Sequence, residues 1–175
     1  MRKILKGVLV LFIFTMVLAP ITVLQATAWA ETFVNKSPHF TLVVPADWTV
    51  SKGAHPNPNS VLRKAQDFLE ITTFDVTVED LPAGRTFKDL GKVFADSVKT
   101  TYEAMSSEVL YEKEIKLKDG TPAYEMEVKW AHPQLWLWTY EVVVFKGGKQ
   151  ITVTITTNDK LSNELKKIPL SLSFK

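Results

Sequence analysis

Four glutamates flank a possible hairpin turn and are candidate ligands for a metal ion. Residues 119–120 are Asp-Gly, a pair that accepts the positive φ angles of a tight turn, and β-rich segments lie on both sides. Counting outward from a two-residue turn gives two opposed carboxylate pairs on one sheet face, Glu114 with Glu125 and Glu112 with Glu127. Four carboxylates at this spacing could hold a hard cation such as calcium. The alternatives are a solvated acidic face and a different register, because calcium sites usually draw on loops that wrap the ion.

Aromatic residues cluster around the next turn, at residues 131–135. Trp130 and Trp136 flank this turn, and His132 lies within it. Strand alternation places most neighbouring rings in the core, but the two outermost rings lie at the end of the sheet, where an amphipathic ring suits a partner or an apolar ligand. Trp130, His132 and Trp136 are therefore the candidate binding residues, with core packing as the alternative.

The sequence contains no complete set of catalytic residues. It lacks a Gly-x-Ser-x-Gly elbow, His-Glu-x-x-His, a phosphate loop and Gly-x-Gly-x-x-Gly, and it has no cysteine. His39, His55 and His132 are isolated, and the last two each precede proline, which places them in turns or at strand ends. A hydrolase would need a serine and a carboxylate to meet one of these histidines in space. We predict no enzymatic activity and no cofactor.

The elements that must position these residues are strands and two helices. Residues 40–44 and 67–78 have strand composition, and apolar residues three and four apart over 87–105 predict an amphipathic helix. A turn at Gly147-Gly148 predicts three core pairs, Val144 with Ile151, Val142 with Val153 and Tyr140 with Ile155. Residues 158–159 can cap a second helix ending near Lys167, followed by a strand at 170–174. The long strand around residue 142 is apolar on both faces, which predicts a sheet covered by helices on both sides.

Composition and charge indicate one ordinary globular domain. The 175 residues are 46% hydrophobic and 23% charged, unlike a disordered chain or a disulfide scaffold. Residues 1–30 contain three of the 21 basic residues and no acidic residue, so residues 31–175 carry 18 basic and 19 acidic groups, a net charge of −1. No arginine-rich or lysine-rich run is present, which argues against a nucleic-acid partner.

The first 30 residues are typical of a secretory signal peptide. Three basic residues precede an apolar run at residues 7–19, Pro20 breaks the helix, and Ala28 and Ala30 supply the small residues that a signal peptidase reads before Glu31. We predict a signal peptide at 1–30 and a mature domain at 31–175, periplasmic or extracellular. The alternative is an uncleaved anchor, since residues 7–30 carry no charge.

The order of motifs resembles the PsbP-like superfamily over about residues 33–175. The motifs are a strand ending in Pro-x-x-Trp, an amphipathic helix, Gly-x-Pro-Ala-Tyr after a hairpin turn, a strand pair joined by Gly-Gly, and a terminal helix leading to Leu-Ser-Phe, at Pro45, Trp48, residues 87–105, Gly120, Pro122, Ala123, Tyr124, Gly147, Gly148, Leu172, Ser173 and Phe174. This superfamily includes extrinsic photosystem II proteins, DcrB-type exported bacterial proteins and a small-GTPase-binding import factor. The resemblance implies an α+β fold, a single-domain α/β/α sandwich around a mainly antiparallel sheet, and a non-enzymatic accessory or binding role.

Two functions follow as expectations. The first is an exported accessory or binding protein whose partner is another exported or membrane-bound protein, with no stable membrane insertion after signal cleavage. The second is a carrier or sensor of a small apolar ligand, with Trp130, Trp136 and neighbouring loops as the mouth of its site.

Overall fold

The computed structural model describes residues 30–51, 57–88 and 90–174, which form an antiparallel sheet with elements packed on both faces. The elements in chain order are β1 Ala30–Lys36, β2 His39–Pro45, β3 Thr49–Val50, β4 Ser60–Ala65, β5 Thr73–Asp80, α1 Leu90–Thr101, β6 Ser106–Lys116, β7 Pro122–His132, β8 Leu135–Lys146, β9 Lys149–Thr157 and α2 Asn163–Leu170. Seven strands form the main sheet in the order β3-β4-β5-β9-β8-β7-β6, and β1 pairs with β2 in a separate hairpin.

The main core lies on the sheet face that is covered by α2 and the β1–β2 hairpin. Phe40 and Leu42 of β2 meet Val142 of β8 and Val153 of β9 there, and all four are fully buried. The opposite face carries α1, which packs on β6 and β7. Phe145 of β8 points to this second face and stacks on Phe87, with 4.6 Å between ring centroids. The predicted α/β/α sandwich, with a central strand covered on both sides, is confirmed.

The β8–β9 hairpin has the predicted register. Gly147 and Gly148 adopt φ angles of 59° and 72°, so both take the left-handed conformation that a two-residue turn requires. Val144 pairs with Ile151, and Tyr140 pairs with Ile155.

The β6–β7 hairpin differs from the prediction by one residue. Its turn is a three-residue loop, in which Gly120 N–H donates to the Leu117 carbonyl at 2.8 Å and Leu117 N–H donates to the Thr121 carbonyl at 2.9 Å. Lys116 therefore pairs with Pro122, and Lys113, not Glu114, lies opposite Glu125. Since successive side chains point to opposite faces, this shift separates the four glutamates.

The segment before β5 is a turn where the sequence indicated a strand. The Asp67 carboxylate accepts hydrogen bonds from the Ile71 and Thr72 amides at 3.1 and 3.2 Å, and Glu70 has a φ of 55°. The strand therefore begins at Thr73, and Phe68 at the turn is 99% exposed. Strands β1, β3 and β4 were not predicted from the sequence.

The bounds of both helices differ from the predicted ones. The carbonyl of Val98 accepts the amides of Tyr102 and Ala104, with Glu103 at a φ of 52°, so α1 stops before Met105. The α2 helix begins later, because the Ser162 side chain caps it by accepting the Leu165 amide at 3.2 Å. The predicted terminal strand is reduced to a single bridge between Thr41 and Ser173.

Candidate functional site

A groove of about 830 Å³ lies beside α1, over the part of the sheet that this helix leaves uncovered. The groove extends from β4 and β5 across β9 to β8, with α1 along one side. We call it the α1-side groove; it has a polar floor, represented by Arg63, Asp75, Thr154 and Glu141, and an apolar end, represented by Phe94, Trp130 and Leu137.

The polar floor is built by strand register. Arg63 of β4 pairs with Asp75 of β5, Asp75 pairs with Thr154 of β9, and Thr154 pairs with Glu141 of β8. Directly paired residues share a face, so these four side chains form one row across the groove, which we call the polar row. Met126 of β7 follows Glu141 in the same row and marks the change to apolar side chains beneath α1.

Glu141 is the most buried carboxylate that lines the groove. It is 7% exposed, and one of its oxygens accepts a hydrogen bond from the Thr154 hydroxyl at 2.9 Å. Burial raises the pKa of Glu141 to about 7; the Thr154 hydrogen bond opposes this rise, and the charges of Asp75 and Glu79 add to it. No ion pair within the described part of the chain includes Glu141.

Asp75 and Arg63 form the other half of the polar row. Burial raises the pKa of Asp75. The hydrogen bond that the Ser60 hydroxyl donates to it and the positive charge of Arg63 both oppose this rise. The Nε atom of Arg63 is buried and has no hydrogen-bond partner among the described residues. Buried donors without partners are rare in folded proteins, so this end of the row contains a polar group that the described part of the fold leaves unsatisfied.

The apolar end is held in place by a short hydrogen-bond chain. The Trp130 indole N–H donates to the Thr139 hydroxyl at 3.0 Å, and that hydroxyl lies 3.1 Å from the Thr156 hydroxyl. The Tyr102 ring packs on Trp130 with 5.6 Å between centroids. Trp130 is therefore fixed with its ring in the wall of the groove and its polar atom satisfied.

Two of the three predicted binding residues meet at this groove. Trp130 and His132 both line it, together with Leu135. Trp136 lies on the opposite sheet face, because Ala131 pairs with Trp136 while His132 pairs with Leu135. There Trp136 is 49% exposed, and the Lys129 ammonium group lies 4.4 Å from its ring centroid. The groove thus brings together Trp130, His132 and Leu135, and Trp136 lies outside it.

The four glutamates predicted as a cation site are divided between the two faces. Glu125 and Glu127 are buried on the α2 side, where Glu125 accepts from the Tyr140 hydroxyl and Glu127 pairs with Lys166. The other two glutamates, Glu112 and Glu114, point to the α1 side. There a carboxylate oxygen of Glu112 accepts a hydrogen bond from the Gly91 amide, at the start of α1, at 2.9 Å. The three-residue loop at 118–120 causes this separation. Within the described ranges, no three histidine or acidic side chains come together to hold a metal ion.

The remaining histidines lie away from the groove or outside the described residues. His39 is exposed on β2, at the opposite face of the molecule, and His55 lies outside the described residues.

The polar row was not predicted from the sequence. Its signal was present in the β8–β9 register, which already placed Glu141 opposite Thr154 inside an otherwise apolar strand. A charged residue in a strand covered on both faces needs a partner or a ligand. Asp75 and Arg63 could not be added, because the link between β4 and β5 contains no glycine or proline turn signal, and β5 and β9 are about 70 residues apart in the sequence.

Comparison with known proteins places the chain by family and fold. A family model described as PsbP matches residues 29–172. The solution structure of cyanobacterial PsbP (CyanoP) from Synechocystis sp. PCC 6803 is similar, with a TM-score of 0.66 and 16% identity, covering 83% of this chain and 92% of that one. The Ran-binding protein Mog1p of Saccharomyces cerevisiae is similar with a TM-score of 0.54 and 11% identity, covering 81% and 82%.

The family of the chain follows from the family model, and not from a curated relative. No curated protein sequence matches the chain. None of the helices in the described ranges has the length and apolar character needed to cross a membrane. With a family model that spans nearly all of the sheet and both helices, the chain belongs to the PsbP family.

Proposed function

We propose that this protein is an exported, non-enzymatic accessory or binding protein, and that the α1-side groove is its binding surface. The observation that carries the proposal is the asymmetric cover of the sheet: α1 packs on β6 and β7, and the groove of about 830 Å³ lies over the strands beside it. Ligand sites in proteins commonly have volumes of about 300–1,000 Å³ and combine apolar walls with a few placed polar groups. This groove has both kinds of lining.

The fold supports a binding role for the chain. Mog1p, which shares the fold, is described as a Ran-binding protein. The partner that we propose is another exported or membrane-bound protein. The proposed role is non-enzymatic because the sequence has no Gly-x-Ser-x-Gly elbow, no His-Glu-x-x-His motif and no cysteine nucleophile.

A photo-crosslinking residue at the rim of the groove tests this proposal. Leu135 lines the groove and is 38% exposed, whereas Val34 on the β1–β2 hairpin is 48% exposed and far from it. In cells that produce the protein, the crosslinker at position 135 should give an adduct of one defined mass that is reproduced with the purified partner, and the crosslinker at position 34 should not. The same adducts from both positions, or none from either, would contradict the groove as the binding surface.

A carrier or sensor of a small apolar ligand is the second candidate function. Trp130, Leu137 and Phe94 give one end of the groove an apolar lining that a hydrocarbon chain could contact. Titration with a short fatty acid should quench or shift the fluorescence of Trp130 while Trp130→Phe loses that response. A signal that survives in Trp130→Phe would come from the other tryptophans and would remove this candidate.

Export is the other part of the proposal. We propose that residues 1–30 are removed and that the exported chain begins at Glu31, because Ala28 and Ala30 fit the small-residue positions of a cleavage site. Amino-terminal sequencing of the protein outside the cytoplasm should read Glu-Thr-Phe. An intact Met1 in the membrane fraction would show an anchor in place of a cleaved signal.

A further inference from the structure

Buried carboxylates on the two faces of the sheet have different partners. On the α2 side, Glu125 lies 3.0 Å from the Lys113 ammonium group and Glu127 pairs with Lys166. Glu141 is as buried as these two, with 7% exposure against 7% and 5%, and has no cationic partner within the described ranges. An ionised carboxylate taken out of water is strongly destabilising unless a cation or several donors compensate it. The one face that lacks such a lysine is the face that holds the groove.

The polar row places a second carboxylate within reach of the same ligand. Asp75 and Glu141 lie on either side of Thr154 in one row. Adjacent strands are about 4.8 Å apart, so the backbones that carry the two carboxylates are separated by roughly 10 Å, with the threonine hydroxyl between them. A small ammonium group on the threonine position could contact both acidic side chains. Arg63 pairs with Asp75 at the other end of the row and its positive charge compensates part of the Asp75 charge, so Glu141 is the carboxylate of the row that lacks a cation among the described residues.

The same carboxylate borders the apolar end of the groove. Met126 is the direct cross-strand neighbour of Glu141 and belongs to the apolar cluster under α1. Trp130 and Leu137 continue this apolar lining. A ligand with its charged group at Glu141 would therefore have its body in contact with apolar side chains.

We propose that the α1-side groove binds a small organic cation, an ammonium group on an apolar body, with Asp75 and Glu141 as its anionic partners. This inference rests on the proposed function, since it names the chemical class of ligand for the same groove. The Thr154 hydroxyl accepts one ammonium hydrogen in this arrangement, and the apolar body lies along Met126 and Trp130.

Three probes that share one apolar body test the charge preference without any mutation. Hexylammonium, 1-hexanol and heptanoate share a six-carbon alkyl chain and differ only in the head group. Calorimetry with the mature protein at about pH 8, above the Glu141 pKa of about 7, measures their affinities. Hexylammonium should bind at least about tenfold more tightly than either of the others, because only it forms the charged pair. Equal binding of hexylammonium and hexanol would overturn the inference and would favour the apolar-carrier function.

Matched variants test the two carboxylates. Glu141→Gln keeps the shape of the side chain and should raise the hexylammonium dissociation constant about tenfold or more, and Asp75→Asn provides a second, independent variant. Glu164→Gln is the control, since that carboxylate is exposed on α2, away from the groove, and its loss should leave binding unchanged. Near-ultraviolet circular dichroism confirms that each variant is folded. Unchanged hexylammonium affinity in folded Glu141→Gln and Asp75→Asn would overturn the inference.

The pH dependence of binding separates Glu141 from the other groups. Besides Glu141, the acidic, basic and histidine side chains that line the groove are Arg63, Glu70, Asp75, Glu79, Arg85 and His132. Hexylammonium should bind more weakly at about pH 6 than at about pH 8, because protonated Glu141 is neutral. His132→Gln should keep this dependence, and Glu141→Gln should lose it. The opposite pattern would assign the dependence to His132 and overturn the role of Glu141.

Failure of this inference and failure of the proposed function have different signatures. If the groove crosslinker captures a defined partner while no probe binds, the groove is a binding surface and the organic cation is the wrong ligand class. If neither crosslinks nor probe binding occur at the groove, both are wrong.

Discussion

Three glutamates are buried in β7 and β8, and the group that each of them contacts decides what it contributes to the protein. Glu125 and Glu127 have lysine partners, so their charges are compensated within the fold. Among the described residues Glu141 has one hydrogen-bond partner, the Thr154 hydroxyl, and no cation, and burial raises its pKa to about 7. The ion pairs of Glu125 and Glu127 stabilise the fold, whereas ionised Glu141 destabilises it at neutral pH.

The pKa of Glu141 predicts how stability changes with pH in the absence of a ligand. Its folded-state pKa of about 7 lies above the ordinary value of 4.5, so the folded protein binds this proton more tightly than the unfolded chain. The free energy of unfolding should therefore fall as pH rises from 4.5 to 7, by on the order of 3 kcal/mol, and change no further from this group above that range.

The comparison with Glu141→Gln isolates this contribution, since glutamine does not titrate. Denaturant midpoints should show the variant as more stable than the wild type at about pH 8, with the difference lost near pH 4. Parallel pH profiles for the two proteins would contradict the assignment of the titration to Glu141.

A charged residue in place of a buried valine should strongly destabilise the main core. Val142 is fully buried between β7 and β9, whereas Val43 on β2 is 44% exposed. Val142→Asp should cost about 4 kcal/mol or more, because it places an unpaired charge among apolar side chains. Val43→Asp makes the same chemical change and should cost less than about 1 kcal/mol. A similar loss of unfolding free energy in urea for both variants would contradict the burial of Val142 and the exposure of Val43.

The α2 helix packs on the sheet through apolar side chains and through one ion pair, between the half-buried Lys166 and the buried Glu127. The Lys166 ammonium group pairs with Glu127 and lies 5.2 Å from the Tyr111 ring centroid and 5.4 Å from that of Tyr140. Its neighbour Lys167 forms an exposed pair with Glu164 within the helix. The two lysines are adjacent in sequence and differ in burial, with 19% and 68% of each side chain exposed.

Replacing each lysine by methionine should separate these roles. Lys166→Met leaves Glu127 buried without a cation and should cost about 3–5 kcal/mol. Lys167→Met removes an exposed pair and should cost no more than about 0.5 kcal/mol. Glu127→Gln added to Lys166→Met should restore part of the loss, because no buried charge then remains. Thermal unfolding measures all three, and equal effects at the two lysines would show that the buried pair does not hold the helix.

The two glycine-containing turns show how far sequence alone predicts such elements. Gly147 and Gly148 determine the β8–β9 register locally, so the core residues of both strands followed from counting. Asp119-Gly120 has a similar sequence signal, but the Asp119 carboxylate accepts amide hydrogens from Thr121 at 2.9 Å and from Phe174 at 2.6 Å. The second donor comes from the carboxyl-terminal segment. The resulting three-residue loop depends on a contact that no local pattern contains.

The candidate site was predictable only in part for the same reason. Trp130 and His132 follow one another on a single strand face, and strand alternation was enough to group them. Asp75 and Arg63 reach the groove through pairing between distant strands. The position of the groove itself depends on which strands α1 covers, and the apolar spacing of that helix does not specify its location on the sheet.

At the scale of the whole molecule, strand order divides the sheet into a local and a non-local part. Strands β6 to β9 form a meander in which each strand pairs with the next along the chain, whereas β5 pairs with β9 across the entire meander. Local pairings require less loop closure than distant ones and therefore form earlier in folding.

Two matched substitutions test this order of events. Val128 in β7 and Val76 in β5 are both fully buried. Val128→Ala should mainly slow folding, since its contacts belong to the meander, and Val76→Ala should mainly speed unfolding. Stopped-flow folding and unfolding rates in denaturant distinguish the two effects. The reverse assignment would place the nucleus in the amino-terminal strands.

The pairing of β5 with β9 has a consequence for a chain that crosses a membrane amino terminus first, as the proposed export requires. The strands β1 to β5 arrive before the strand that completes their sheet. During transit one edge of β5 is unpaired, and its apolar residues Phe74 and Val76 lack their β9 neighbours Ile155 and Val153. The length of this interval is set by the time that the rest of the chain takes to emerge. Secretion yield should therefore depend on the speed of translocation and on chaperones outside the membrane more than on the equilibrium stability of the folded domain.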